Sequence, residues 1–414
     1  MKIAYFDYWT RGVQNFVLLD SRLQALGHDT KLLHVGSFNF PSLKTELVKG
    51  IKCDDISYFN TRLIYKMLEK ERPDVLVTQN TTSILDRVVA LSCKKLNIRT
   101  VFLMHGIRNV GNPLTDIVPF FEEAYNSFFK KLKKIPKYLS IVIPNYIYSV
   151  YKSDRSKLLN GRFIKVVYSY YKNPGKSIFF PKYADEVLLD KCLVYSIKEA
   201  EYYRQVGYAE KDICIVGDPK YDSLLDMLVK GKFTVDMLPG SVKKLVSCSE
   251  KYALFLDEAL PEQNNMAGYT AELRDKFIFE IAEKLKSERI KLVVKLHPAT
   301  MPDSIIVKHE NLIIEKDNLD ALIYFCEFCI VNSSTTINNC VLISKPIVSP
   351  RWSAAGNLPS FFTDAGISNA WHSIGETPDL SINATARKKY IKEFITVTAP
   401  DAVNNIIKQI CAVS

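Results

Sequence analysis

The sequence predicts an α/β protein of two doubly wound halves facing each other across a cleft, and three observations lead there. At 414 residues the chain exceeds what one core of ordinary size accommodates. Short apolar runs alternate with helix-like stretches in two separate series, which implies right-handed βαβ crossovers and parallel sheets. Several of these runs end abruptly in polar residues, and sheets of this kind bind ligands at the carboxyl ends of their strands.

In the first series Lys2–Tyr8 reads as a buried strand. Thr10 can cap a helix whose apolar face includes Phe16, Leu19, Leu23 and Leu26, with Gly27 as its stop. Thr30–Val35 is a second strand. Pro73–Thr78 is a third, followed by Asn80, Thr81, Thr82, Ser83 and a helix over Ile84–Leu96. Arg99–Met104 runs straight into His105-Gly106. Beyond an insertion, the strand Lys191–Tyr195, the helix Ile197–Val206 and the strand Asp212–Val216 resume the alternation. Gly231, Pro239 and Gly240 punctuate an irregular stretch from Leu225 to Lys251, where the hinge is expected.

The second series has strands at Tyr252–Leu256, Ile290–Leu296, Leu312–Glu315, Phe328–Asn332 and Pro346–Ser349. Its helices fall at Thr270–Lys286, Leu319–Phe325 and Thr335–Ile343, and the tail Ala386–Ala412 is helical with a break near Pro400. The expected domains are therefore 1–228, with an insertion at about 128–175, and 249–385. The tail, 386–414, is expected to pack back toward the N-terminal domain.

Hydrophobic residues at 47% and charged residues at 24% give the balance of a soluble globular protein. No stretch reaches the roughly 18 apolar residues of a spanning helix, and MKIAYFDYW does not read as a secretory signal. A cytoplasmic location is expected. The net charge of +10 concentrates in Phe128–Lys172, where Lys and Arg interleave with Tyr, Phe and Ile. No nucleic-acid module accompanies it. Peripheral contact with the inner face of a bacterial cytoplasmic membrane is favoured, against a merely solvated insertion. Cys326 and Cys329 form a CxxC without a second pair, so they read as buried thiols rather than zinc ligands.

Four strand ends carry chemistry. In Lys295-Leu296-His297-Pro298, alternation puts Lys295 and His297 on one face, and Pro298 ends the ladder with His297 at the rim. An imidazole there can donate to a phosphate as a nucleotide leaves. Asn332-Ser333-Ser334-Thr335-Thr336 places four hydroxyls at a helix start, more than N-capping needs. His105, before Gly106, is a candidate general base on the acceptor side, with Glu122-Glu123 a weaker one. Asp257-Glu258 could contact a donor nucleotide, a proton or a metal, or be plain loop residues.

KLHP followed by NSSTTINNCVLISKP resembles the HP and SS motifs of bacterial capsule glycosyltransferases of the GT-B fold, two facing Rossmann-like domains. Polysialyltransferases and Kdo transferases belong to that group, and the CDP-glycerol polymerases of teichoic acid synthesis are similar. RTVFLMHG and CLVYSIKEAEYYRQVGYAEKDICIVGDPKYDSL are similar to the N-terminal half of these proteins, and the likeness spans Pro73–Ser349. The resemblance implies that His297, Ser333 and Ser334 hold the donor phosphate and that His105 lies beside the acceptor.

Two departures refine this. Many UDP-sugar enzymes of the fold carry a ribose-gripping carboxylate before the KP turn, where this chain has Asn338-Asn339-Cys340. That favours a CMP-activated acidic sugar over a UDP-sugar. His105-Gly106 continues as Ile107-Arg108-Asn109, which lowers the CDP-glycerol reading.

The expectation is a metal-independent glycosyltransferase acting on a sialic acid, a related nonulosonic acid or Kdo. The donor would be a co-substrate, with no resident cofactor, and the acceptor an oligosaccharide or glycolipid; nucleic acid is not expected as a partner. His105, His297 and Glu123 would be catalytic, and Lys295, His297, Pro298, Ser333, Ser334, Thr335, Asp257 and Glu258 would bind the donor. The alternatives are a CDP-glycerol-type glycerophosphotransferase and a non-catalytic scaffold protein of capsule assembly.

Overall fold

The computed structural model describes residues 1–81, 83–105, 138–156, 164–165, 186, 188–263, 268–300, 305, 307–332, 334–352 and 361–412. The chain divides into two compact units, Met1–Pro219 with Asp401–Ser414, and Lys220–Pro400.

Among the described residues the first unit carries an eight-stranded sheet. Its strands are β1 (Lys2–Asp7), β2 (Asp29–His34), β3 (Thr45–Val48), β4 (Ile51–Asp55), β5 (Val75–Thr78), β6 (Arg99–Leu103), β7 (Lys191–Val194) and β8 (Ile213–Ile215). They lie in the order β3-β4-β2-β1-β5-β6-β7-β8, parallel except for the β3–β4 hairpin. The hairpin turns on Lys49 and Gly50, both at positive φ, which is the two-residue turn whose twist matches that of its strands.

Helices cover both faces. Ile3 and Tyr5 pack with Leu19 and Leu23 of the helix Val17–Ala25, and with Ile406 and Ile410 of the tail helix Ala402–Cys411. Ala4 and Phe6 pack with Ile84, Val88 and Leu91 of the helix Ile84–Leu96. Ser83 and Asp86 form a capping box at the start of that last helix. The Arg99 guanidinium donates to the carbonyls of Gln409 and Ala412, placing a positive charge at the negative end of the tail helix.

The second unit has β9 (Lys251–Leu256), β10 (Ile290–Lys295), β11 (Leu312–Glu315), β12 (Phe328–Ile330), β13 (Ile347–Pro350) and β14 (Asn369–Trp371). These form a parallel sheet in the order β11-β10-β9-β12-β13-β14. Ala253, Phe255, Leu292, Val294 and Ile330 pack against Phe277, Ile278 and Ile281 of the helix Ala271–Ser287.

Some local structure departs from the sequence expectation. Thr10–Asn15 is a 3-10 turn rather than the start of a helix, Thr10 caps nothing, and Leu26 is exposed beyond the helix end. The stretch expected to be irregular holds two helices, Asp222–Val229 and Gly240–Ser247. Pro239 immediately precedes the second of them, where a missing N–H breaks no helical bond. The hairpin β3–β4, the helix Ile64–Glu71 and β14 were not anticipated.

A buried charge pair fastens the helix pair of the first unit. Arg87 lies 3.2 Å from Glu186, and Tyr146 of the helix Ile143–Ser153 donates to the same carboxylate at 2.6 Å. Replacing Arg87 by Leu would strand a buried carboxylate, at a cost of about 3–5 kcal/mol. A urea melt checks this, and an unchanged midpoint would show that the pair contributes nothing.

Candidate functional site

In the second unit the chain leaves β9 for β10 on one side and later returns to β12 on the other, so the order reverses between β9 and β12. Such a reversal leaves a crevice beyond the carboxyl ends of the strands. Asp257-Glu258 stand beyond β9, His297-Pro298 beyond β10 and Ser334 beyond β12. Register places them level: Leu256 pairs with Lys295, and Phe255 with Ile330.

Hydrogen bonds tie these ends together. Asp257 Oδ2 accepts from the His297 N–H at 3.1 Å and from the Thr300 hydroxyl at 2.5 Å. Glu258 Oε1 accepts from the Ser334 N–H at 2.9 Å, bridging the point of reversal. Asp257 is only 5% exposed, so its carboxylate is engaged by the protein itself.

His297 is half-buried, and its Nδ1 accepts from the Ala299 N–H at 3.1 Å. A backbone amide has only a proton to give, so Nδ1 presents its lone pair and the ring hydrogen of the neutral imidazole sits on Nε2. Burial holds the imidazole pKa below its usual value and Lys295 adds to that, while the Asp257 charge opposes it. The ring is therefore neutral at pH 7 and offers Nε2–H as a donor. Lys295 Nζ donates to the Leu296 carbonyl at 2.9 Å, and burial lowers its pKa too. Val294 and Leu296 point into the core, as strand alternation requires.

After β12 the helix is Ile337–Leu342, shorter than expected, so the dipole available to an anion is smaller. The Ser334 hydroxyl donates to Thr336 Oγ1 at 3.0 Å, while Thr335 and Pro298 are exposed. Asn338 is fully buried, bonded to the Tyr221 hydroxyl at 3.0 Å and the Tyr390 hydroxyl at 2.8 Å, and Asn339 donates to Asp320 at 2.8 Å. Arg274, also buried, pairs with Glu262. Cys326 and Cys329 are buried with their sulfurs 3.6 Å apart. Ser333, Glu122 and Glu123 lie outside the described residues, as does most of the basic-aromatic insertion.

In the first unit His105 is exposed just past β6. Sequence reasoning passed over three polar groups at the same edge: Asp7 ending β1, His34 ending β2 and Asp55 ending β4. The available signal was an ionisable residue closing each largely apolar strand.

No family model matches the chain, and no curated protein matches it. Among solved structures it is similar to a protein classed as a UDP-N-acetylglucosamine 2-epimerase from Listeria monocytogenes. That match has 12% identity and a TM-score of 0.51, covering 98% of this chain and 94% of the other. It is also similar to the glycotransferase of kitacinnamycin at 14% identity, 99% of both chains and a TM-score of 0.48. A third is the S. aureus MnaA–UDP co-structure, at 12% identity, 99% and 95% coverage and a TM-score of 0.48. The fold is thus the two-domain α/β fold with parallel sheets, of the GT-B class.

Two outcomes follow from this geometry. Because folding depresses the His297 pKa, its stabilising contribution is full above the unfolded value of about 6.5 and is lost as pH falls from there through the lower folded value. NMR titration of the ring should give a midpoint below that value, and a midpoint above it contradicts the description. Asp257→Ala would leave a buried hydroxyl and an amide unpaired, costing about 1–3 kcal/mol in a thermal or denaturant melt.

Proposed function

We propose that the protein is a glycosyltransferase that moves a sugar from a nucleotide-activated donor to a bacterial surface glycan. The observation that carries this is the His297 ring, held at the sheet reversal of the second unit with Nδ1 occupied and Nε2–H presented. A neutral donor of that kind stabilises charge developing on a departing phosphate oxygen and is unfit to act as a base. Lys295, Ser333, Ser334 and Thr335 would complete the donor site. Asp257 would position the His297 turn, and Glu258 the loop after β12. The acceptor hydroxyl would give its proton to a group of the N-terminal unit, His105 or a carboxylate such as Glu123.

A CMP-linked acidic sugar is the donor this reading favours. The helix Ile337–Leu342 carries no carboxylate for ribose hydroxyls, and both of its asparagines are engaged within the protein. A lysine at the site suits an acidic sugar. Peripheral membrane contact fits the helix Ile143–Ser153, which exposes Ile147 and Tyr151, with Arg155 lying 4.4 Å over the Tyr151 ring. Among the described residues no helix is long and apolar enough to cross a membrane.

The test is a thermal-shift panel of CMP-sialic acid, CMP-Kdo, UDP-GlcNAc and CDP-glycerol, followed by transfer assays with whichever stabilises the protein. A CMP-sugar should stand out, and His297→Ala should cut turnover by about 10²–10³-fold. Stabilisation and turnover by CDP-glycerol alone would favour a glycerophosphotransferase. Glycan synthesis that survives His297→Ala would point to a scaffold.

A further inference from the structure

We infer that the carboxyl edge of the first unit, at β1 and β5, binds the hydroxyl-bearing acceptor, with Asp7 taking the proton of the attacking hydroxyl and Trp9 stacking on the acceptor sugar. This rests on the glycosyltransferase reading above.

The place is set by topology. From β1 the chain goes to β2 on one side and later to β5 on the other, so the order of this sheet reverses between β1 and β5. Asp7 is the last residue of β1, one beyond the register pair Phe6–Thr78. His105, the candidate base from sequence, follows β6 and stands one strand further from the reversal.

The residues at this reversal suit a sugar. Asp7 is 7% exposed, and Oδ1 accepts from the Tyr8 N–H at 2.5 Å. A Cβ on residue 12 would lie 2.0 Å from Asp7 Oδ2, so only glycine lets the following turn close over the carboxylate. Gln79, just past β5, has a buried Oε1 with no hydrogen-bond partner among the described residues, an acceptor left for a hydroxyl. Trp9 is 48% exposed, with the Arg11 guanidinium 5.2 Å from its ring. An exposed indole two residues past a carboxylate, with an unfilled amide oxygen at the end of the neighbouring strand, matches a sugar ring's apolar face and its hydroxyls.

Burial lifts the Asp7 pKa to about 6, the neighbouring Asp86 charge adds to it, and the Tyr8 N–H opposes it. Its Cα register partner on β2 is His34, whose Nδ1 lies 3.3 Å from Asp55. A carboxylate titrating there is ionised at neutral pH and basic enough to accept a proton in a transition state. In the step, the hydroxyl proton passes to Asp7 and the hydroxyl oxygen bonds to the anomeric carbon. The bond from that carbon to phosphate oxygen breaks, and its electron pair leaves with the nucleotide.

The test measures radiolabelled transfer, from the nucleotide sugar that stabilises the wild-type protein, to an oligosaccharide panel. Asp7→Asn should keep the melting temperature and the nucleotide-induced shift, lower kcat by about 10²–10⁴-fold, and abolish the acid limb of the pH–rate profile near pH 6. Trp9→Ala should raise the acceptor KM and leave kcat little changed. Wild-type rates in Asp7→Asn, or an acid limb lost in His105→Ala and kept in Asp7→Asn, overturn the assignment. If Asp7→Asn does not fold, an unchanged acceptor KM in Trp9→Ala overturns it. A wild-type protein that transfers from no nucleotide sugar would sink the glycosyltransferase reading itself.

Discussion

The carboxylate of Asp257 joins the end of β9 to the turn that follows β10, and the candidate donor site is organised around that link. A buried carboxylate is costly to hold in a sheet unless its oxygens are filled. Here a backbone N–H and a hydroxyl fill one of them, and both come from His297–Thr300. The turn is thereby fixed against the strand end, and within it Ala299 reaches back to the His297 ring. A single buried acid thus fixes which imidazole nitrogen carries the hydrogen, at a distance of two bonds. Glu258, its neighbour in sequence, does the same for the loop after β12.

The two units solve one problem with different residues. Each is a largely parallel sheet whose strand order reverses beside its first strand, and each closes that first strand with an acid. In the second unit the acid is spent on the protein's own backbone, and an imidazole donor is presented. In the first, Asp7 accepts from its own neighbour's amide and lies under Gly12, with an exposed indole two residues on. The arrangement of the second unit suits charge leaving, that of the first a proton departing.

Much of this was legible in the sequence because the signals were local. Pro298 predicts that the strand stops short of it, a deduction that needs no neighbours, and β10 ends at Lys295 with His297 half-buried in the turn that follows. The helices Ile84–Leu96 and Ile197–Val206 carry serine caps and three-four apolar spacing, and they form with those bounds. The β3–β4 hairpin was not legible, since its strands mix charges with aliphatic residues at a sheet edge, and only the φ values of Lys49 and Gly50 reveal the turn. The direction of a carboxylate was equally hidden. Asp257-Glu258 looked like free acids at a strand end, and nothing in the sequence says that Thr300 and Ser334 would claim them. Asp7 is hidden in the sequence because the apolar run reads as a strand through Tyr8, which puts the acid inside the strand rather than at its end.

The central claim is that His297 meets a phosphate through Nε2–H. It is tested most directly by 15N-detected NMR of the imidazole, with CMP added as the probe. The account predicts a neutral ring with its hydrogen on Nε2 and a shift at Nε2 on nucleotide binding, with Nδ1 held by Ala299. A ring protonated on Nδ1, or nucleotide binding that leaves both ring nitrogens undisturbed, would contradict it.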